Sequence, residues 1–225
     1  GNTVNGQSVA AIYSTKNLYL QSNGTGSLTA YGPNYVIWTH DMSMSIYGLK
    51  ELNHSIVTVT SIKSKTDWLG NVTQSETLGT GVVIGNNGSE LLVLTNYNFL
   101  NNADSLKVTF WEGYTTECQI KQKHKETDIA ILSIHVSSLG DKIKDIDVAA
   151  FGSSSTQQLL CTPVIALGSP MGEPGSVGYG MITSENSQVS MVDGNYELLI
   201  TDIYGSQNAN GFLFNMRGQV IGMIA

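Results

Sequence analysis

NANGFLFNMRGQVIG, residues 208–222, is the stretch of this 225-residue chain that most narrows its fold. Two short apolar runs, Gly211–Asn215 and Val220–Ile224, flank the segment Asn215-Met216-Arg217-Gly218. Asparagine and glycine favour tight turns, and short apolar runs bounded by turn residues are typical of strands. This stretch therefore predicts two neighbouring strands joined by a tight turn.

The same pattern recurs upstream. Ser55–Thr60 alternates β-branched residues, and Asn86-Asn87-Gly88 is a strong hairpin signal. Further short runs separated by turn residues occur at Gly81–Ile84, Leu91–Thr95, Leu106–Trp111, Glu117–Lys121, Ile129–Ile134, Val148–Phe151, Val164–Leu167, Gly178–Ser184 and Glu197–Thr201. Two consecutive blocks of about six strands predict an all-β chain of two packed barrels or sandwiches.

Differences in amino-acid composition along the chain suggest three segments. Residues 1–52 are polar and rich in Asn, Ser, Gly and Thr, and we expect an extended lead-in with a strand or short helix near residues 43–52. The first barrel is predicted over residues 53–139 and the second over residues 140–225, because the linking stretch 136–147 is charged and poor in apolar residues.

Composition excludes several classes of function. Only 13% of residues are charged and the net charge is -7, which disfavours nucleic acid and anionic membranes as partners because both need a basic face. No apolar run in this sequence approaches the ~18 residues of a membrane span, and we find no stretch with the pattern of a signal peptide, although an upstream anchor or signal could precede Gly1.

The cysteines do not indicate a disulfide framework or a metal site. Cys118 and Cys161 are the two in the chain, and no Cys/His cluster has zinc spacing. Two buried thiols are the favoured interpretation and a single bridge is the alternative. No cofactor and no metal are expected.

Four motifs go beyond strand pattern. The first motif is GTGVVI from Gly79 followed by LTN from Leu94, and the second is ETDIAIL from Glu126. The third is ALGSPMG from Ala166 with GMITS from Gly180, and the fourth is NANGFL from Asn208 with NMRGQVIG from Asn215. Their order and spacing along residues 55–225 resemble the HtrA-type serine proteases. The resemblance implies the trypsin-like fold of two six-stranded Greek-key barrels, with a Ser–His–Asp triad in the cleft between them.

The resemblance places three triad positions on this chain. The family histidine falls on Asn98, its aspartate on Asp128 and its serine on Ala209. Alanine has no nucleophilic oxygen, and asparagine has no basic nitrogen near neutral pH. From this we predict a degenerate triad, with Asp128 as a structural carboxylate that accepts hydrogen bonds from backbone amides or from Asn98, and a chain that is not an enzyme.

Other family positions also change. Gln207 and Asn210 replace glycines of the nucleophile loop, with Asn208 between them, and Phe212 replaces its proline. Because glycine permits the backbone angles that aim oxyanion-hole amides, the hole is predicted to be altered. The resemblance further places Ile221, Gly222 and Met223 along the wall of the primary pocket.

Three functional hypotheses remain open. The first is a pseudoprotease that acts as an extracytoplasmic binding or sensing module for a peptide, protein or polysaccharide, with a membrane anchor outside this sequence. The second is a hydrolase with relocated groups, for which His124, Ser206 and Cys118 are the spare candidates, or an engineered Ser-to-Ala variant. The third is a structural domain, which a cleft filled by Phe212 would favour.

The end of the sequence carries one more expectation. HtrA-type domains continue past the strand that matches residues 220–225, often into a PDZ domain. We therefore expect the second barrel to be either incomplete or closed by the N-terminal segment, in a native chain that continues.

Overall fold

Alternation of buried and less buried side chains is the recurring feature of the strands in the first half of the chain. In the computed structural model, inward and outward side chains alternate along Ile56–Thr66, Glu90–Asn96 and Ile129–His135. A strand places successive side chains on opposite faces, so one face of each strand is apolar and needs a core.

The structure describes residues 2–4, 7–9, 53–66, 68–141, 146–152, 159–191 and 194–224. Short 3₁₀ helices occur at Asn53–Ser55, Asn98–Leu100 and Val136–Ser138. The strands within these ranges are β1 (Asn2–Val4), β2 (Gln7–Val9), β3 (Ile56–Thr66), β4 (Val72–Asn86), β5 (Glu90–Asn96), β6 (Ser105–Thr109), β7 (Thr115–His124), β8 (Ile129–His135), β9 (Pro163–Ser169), β10 (Ser176–Met191), β11 (Gly194–Thr201), β12 (Asn210–Asn215) and β13 (Val220–Ile224).

Strands β3 to β8 form a closed antiparallel barrel in the order β3-β4-β5-β8-β7-β6. Closure removes the unpaired edges that an open sheet would leave. Its interior is filled by inward-facing residues, including Val59, Val93, Val108 and Leu132, all 0% exposed.

Strands β9 to β13 form an open antiparallel sheet in the order β11-β10-β9-β12-β13. The closed barrel and this half-barrel confirm the predicted all-β, trypsin-like two-barrel class. Within the described residues the second half is an open sheet, as the expectation of an incomplete second barrel anticipated.

The two halves share an apolar junction. Val82 of β4 packs with Leu167 of β9 and with Phe212 and Phe214 of β12. The backbone approaches closely here, because a Cβ on Gly168 would meet Thr80 at 2.4 Å. Phe212 is 0% exposed. It belongs to the junction core and does not fill a cleft.

The predicted strand Val148–Phe151 is wrong. The backbone of this segment forms hydrogen bonds with two different strands. Ala149 N–H donates to Val83 O of β4, and Val220 N–H of β13 donates to Ala150 O. Only Phe151 forms a bridge, to Val220. The segment splits its hydrogen bonds between the two halves, so it forms no continuous ladder.

The N-terminal region contains one described pair of strands. β1 pairs with β2 in a separate unit, residues 1–47, and the predicted element near residues 43–52 lies outside the described residues, as does His40. The boundaries at 52 and 139 stay a prediction.

Both cysteines are free. Cys118 is buried as expected, but Cys161 is exposed because it lies in the turn before β9, where its φ is 60°.

Candidate functional site

Asp128 lies at the start of β8 in an unusual backbone conformation. Its φ is 53°, in the left-handed region that only glycine, asparagine and aspartate visit with any ease. Its backbone amide donates to Lys125 O at 3.2 Å, and its carbonyl accepts from Tyr97 N at 3.0 Å. These bonds at both ends of the residue hold the strained turn in place.

Two donors orient the Asp128 carboxylate. Asn98 N–H donates to Oδ1 at 2.7 Å, and Asn96 Nδ2 donates to Oδ2 at 3.0 Å. The predicted structural role, a carboxylate that accepts a backbone amide, has this geometry. The side-chain donor is Asn96, whereas the sequence pointed to Asn98.

Asn96 also connects the two halves of the molecule. Its Nδ2 donates to Ile224 O of β13 at 3.1 Å, and the residue is only 5% exposed. Its Oδ1 has no partner among the described residues. Sequence reasoning missed this residue, although the LTN motif placed an amide at the end of a buried strand.

Asn98 points outward beside this carboxylate. It opens the 3₁₀ helix after β5, and its side chain is exposed. The next residue, Phe99, packs its ring over Gly79, where a Cβ would meet the ring at 2.2 Å. Glycine at position 79 therefore sets the path of the backbone that carries the Asn98 amide.

The loop 206–210 leads into β12, whose first residue is Asn210. Ala209 N–H donates to Ser206 O at 3.0 Å, which closes a tight turn. An oxyanion hole needs backbone amides that are free to donate to substrate. In this conformation the Ala209 amide is engaged within its own loop, while the side chains of Gln207 and Asn208 are exposed.

Asn210 fastens this loop to the first barrel. Its Oδ1 accepts from Thr80 N at 2.9 Å, and its Nδ2 donates to Asn208 O at 3.3 Å. Thr80 in turn accepts from Thr95 Oγ1 at 2.7 Å. Thr95 and Asn96 are neighbours in β5, so these hydrogen bonds and the intervening backbone link the Asp128 carboxylate to the loop that carries Ala209.

The predicted pocket-wall residues lie on β13. Ile221 is 7% exposed and packs inward with Val164 and Leu213. Met223 packs against the apolar junction, and Gly222 lies opposite Leu213 in the strand register. Their role along a pocket stays a prediction, as do the triad assignments of Asn98, Asp128 and Ala209.

A groove of about 380 Å³ lies beside the loop, between the halves. Leu78, Trp111 and Val177 line it, and each is between 46% and 61% exposed. Thr80 and Ser169, which contact or pair with Asn210, also border it. The groove thus offers an apolar surface next to a polar, hydrogen-bonded site.

The spare catalytic candidates are scattered. His124 is exposed at the end of β7, where its Nδ1 lies 2.8 Å from Thr127 Oγ1 and 3.5 Å from Glu126 Oε2. Cys118 lies inside the first barrel, where burial raises its thiol pKa to about 12. Ser206 is in the site loop, and its Oγ is buried without a partner among the described residues.

Other site types find no support in the described ranges. No group of three His, Cys, Asp or Glu side chains is arranged to hold a metal ion there. Those ranges also contain no helix with the length and apolar character needed to cross a membrane.

The matching family model places these residues in context. Residues 79–223 match the model described as a trypsin-like peptidase domain, and they include Asn98, Asp128 and the loop 206–210. The chain belongs to the trypsin-like peptidase domain family. This confirms the resemblance inferred from the four motifs.

The chain is similar to bacterial serine proteases Do-like HtrA. It is 31% identical to the one from Lactococcus lactis subsp. lactis, over 71% of this chain and 38% of that protein. It is 32% identical to the one from Lactobacillus helveticus, over 64% and 34%. The chain spans little more than a third of the length of these relatives.

Solved structures show the same fold at lower identity. The HtrA-type protease AlgW with tripeptide aligns with a TM-score of 0.61 at 21% identity, covering 79% of this chain and 52% of that one. The same protease with decapeptide gives 0.61 at 21% identity, covering 78% and 57%. The chain therefore shares the fold of these HtrA-type structures.

The prediction that the chain is not an enzyme is wrong. The relatives that match it are named serine proteases, and nothing in the comparisons shows loss of catalysis, a pseudoprotease or a sensor. The inference failed because it rested on side-chain types at three positions. Hydrolysis depends on which oxygen and which proton acceptor converge in the folded molecule, and residue types alone do not show that.

Proposed function

We propose that this family domain acts on polypeptides, which it binds in extended form outside the cytoplasm. The proposed site comprises Asp128 and Asn96 together with the loop 206–210, which Asn210 bonds to Thr80, the residue that Thr95 next to Asn96 also bonds. The observation that supports this site is the strained backbone of Asp128, together with the hydrogen-bond donor that each of its carboxylate oxygens has. Strain of about 1–3 kcal/mol persists where surrounding structure over-determines it, which is characteristic of functional sites.

Polypeptide is the ligand class that the relatives support. They are named serine proteases, and two similar structures are those of the HtrA-type protease AlgW with a tripeptide and with a decapeptide. On this chain, the groove lined by Leu78, Trp111 and Val177 offers apolar contact for a peptide side chain beside the polar site. Extended peptides bind through backbone hydrogen bonds combined with such side-chain pockets.

Hydrolysis of the bound polypeptide is the second candidate function. It requires a nucleophilic oxygen and a proton acceptor, and neither Ala209 nor Asn98 supplies one. Ser206 provides a hydroxyl in the same loop, and its Oγ is buried without a partner among the described residues. Because Ser206 is the hydroxyl of this loop, its replacement tests whether the loop supplies the nucleophile for any cleavage by this chain.

A binding titration tests the first proposal. Fluorescein-labelled β-casein, an unfolded polypeptide, should bind the parent chain, and Ala209→Arg should weaken binding at least tenfold because it inserts a long side chain into the site. Ser89→Arg is the matched control: Ser89 lies before β5 and Asn96 at its far end, about 20 Å away. Absence of casein binding by the parent chain would overturn the proposal.

A cleavage assay tests the second. The parent chain should release fluorescent fragments from labelled casein, and Ser206→Ala should reduce that rate by at least about 100-fold. Ser89→Ala removes an exposed hydroxyl elsewhere and should leave the rate unchanged. Equal rates for Ser206→Ala and the parent chain would exclude Ser206 as the oxygen.

A further inference from the structure

Positive charge is concentrated at the end of β7 in an otherwise acidic chain. The net charge of the whole chain is -7. Three of the basic residues in the described ranges, Lys121, Lys123 and Lys125, fall within five positions. Glu126 and Asp128 follow these lysines, and Glu90 pairs with Lys121, so the positive charge of interest is that of Lys123 and Lys125.

The ammonium groups of two of these lysines, Lys123 and Lys125, lie near the aromatic ring of Tyr97. Lys123 Nζ lies 5.5 Å from the Tyr97 ring centroid, and Lys125 Nζ lies 6.0 Å from it. The ring is only 6% exposed, so it forms a fixed floor. Cations within about 6 Å of an aromatic centroid are attracted to the face of the ring.

Among the residues that the structure describes, these two ammonium groups have no carboxylate partner. The neighbouring Lys121 pairs with Glu90, and His124 lies beside Glu126. Within the described part of the chain, no Asp or Glu lies within 4.0 Å of the Lys123 or Lys125 ammonium. Both like charges therefore remain available to an anionic ligand.

The pair adjoins the candidate site through the backbone. Tyr97 N–H donates to Asp128 O, and Asp128 N–H donates to Lys125 O. Asn98, which follows Tyr97, donates its amide to the Asp128 carboxylate. Tyr97 and Lys125 are therefore each one backbone hydrogen bond away from Asp128, so the lysine pair borders the proposed site.

We infer that Lys123 and Lys125, held over Tyr97, bind acidic side chains of the polypeptide engaged at the Asp128 site. This rests on the proposed function and names its preferred substrate class: polypeptides with Glu or Asp beside the bound segment. Two adjacent carboxylates would compensate the two ammonium groups. Nucleic acid is disfavoured because the remaining surface is acidic and phosphate binding needs many basic contacts.

Three peptides of identical length and sequence, except for a central Glu-Glu, Gln-Gln or Lys-Lys pair, test the inference. Each carries fluorescein and is titrated with the whole chain. The Glu-Glu peptide should bind about three- to tenfold more tightly than the Gln-Gln peptide at roughly 0.05 M NaCl, and the difference should fall below twofold at roughly 0.5 M, since salt screens exposed charges.

The double substitution Lys123→Ala/Lys125→Ala should abolish the preference for Glu-Glu and leave Gln-Gln binding unchanged. Lys63→Ala/Lys65→Ala is the matched control, because it removes two lysines with the same spacing from β3 and should keep the preference. A titration with single-stranded DNA completes the set.

The outcomes separate the two proposals. If no peptide binds the parent chain, the proposed function fails. If all three bind equally, or if the β3 control loses the preference as fully as the β7 variant, polypeptide binding stands and the acidic preference fails. DNA binding that is tighter than Glu-Glu binding and is lost in the β7 variant would also overturn the inference.

Discussion

Asn96 and Asn98 carry the same side chain two positions apart but have different contacts. Asn96 is buried and donates to Asp128 and to Ile224 O, whereas the Asn98 side chain is exposed. Asn96→Ala should lower the free energy of unfolding by about 1–3 kcal/mol, because two acceptors lose their donor. Asn98→Ala keeps the backbone bond and should cost less than about 0.5 kcal/mol. Urea denaturation of both variants checks this; equal losses would contradict it.

The two thiols should differ sharply in reactivity. Burial raises the Cys118 pKa from 9.0 to about 12, whereas Cys161 is exposed. At pH 8 only about one Cys118 thiol in 10⁴ is ionised, and the thiolate is the reactive form. Reaction with DTNB should therefore show one fast thiol in the native chain and two in denaturant. Cys118→Ala should leave the fast phase intact, and two fast native thiols would refute the assignment.

The same pKa shift gives a pH dependence with a definite sign. The unfolded chain releases the Cys118 proton near pH 9, and the folded chain retains it until about pH 12. Between these values the unfolded state binds fewer protons, so the contribution of this group to stability falls as pH rises. Stability below pH 9 should be unaffected by it. Comparison of the parent with Cys118→Ala between pH 9 and 11 isolates this contribution.

At the residue scale, the structural role of Asp128 stays a prediction, whereas one contact agrees with the sequence reasoning and another was missed. Asp128 was assigned a structural role that accepts a backbone amide, and that geometry is present. Asn96 was missed because its role depends on Ile224, which is 128 positions away in sequence. Strand periodicity records which face is buried, but not which distant carbonyl an amide will meet.

At the scale of elements, β4 carries the contact that sets the Asn98 backbone. A Cβ at Gly79 would overlap the Phe99 ring, with contacts of 2.2 to 2.6 Å. Gly79→Ala should destabilise the fold by about 1–3 kcal/mol through overpacking, and should weaken casein binding by moving the neighbouring Asn98. Gly85→Ala is the control on the same strand: its nearest atom is Leu92 Cδ1 at 3.9 Å, so we expect a change below about 1 kcal/mol. Thermal unfolding and casein titration measure both, and similar effects would contradict the mechanism.

Elements with a repeating pattern were the easiest to predict. β3, β5 and β8 alternate buried and outward residues, and their positions agree with the sequence. The segment Val148–Phe151 has strand-like composition but bonds to both Val83 and Val220. Its tertiary surroundings decide its structure, and composition cannot report them.

At the scale of the whole molecule, the family and the two-barrel class followed from four motifs in register. Function did not follow from them. Residue types at Asn98 and Ala209 suggested that the chain is not an enzyme, and the named serine protease relatives contradict this. Motifs determine where a site lies in a fold, whereas activity depends on the groups that converge there.

The apolar junction should make the two halves unfold together. Residues 48–225 form one compact unit, and Phe214 of β12 packs in the same buried cluster as Val82 of β4. Phe214→Ala removes a ring that is 0% exposed and should cost about 3–5 kcal/mol. Leu91→Ala is the comparison within the first barrel, where Leu91 is also 0% exposed and lies outside the junction cluster. Its cost should be about 2–5 kcal/mol.

Hydrogen exchange under increasing denaturant distinguishes coupled from independent halves. In a coupled molecule, peptides from β5 and from β12 lose protection at the same denaturant concentration, and each substitution shifts both by the same amount. If Phe214→Ala released β9 to β13 while β3 to β8 stayed protected, the halves would be independent. The run of hydrogen bonds from Asp128 through Asn96 to Ile224 favours coupling, since opening either half would leave buried polar groups of the other without partners.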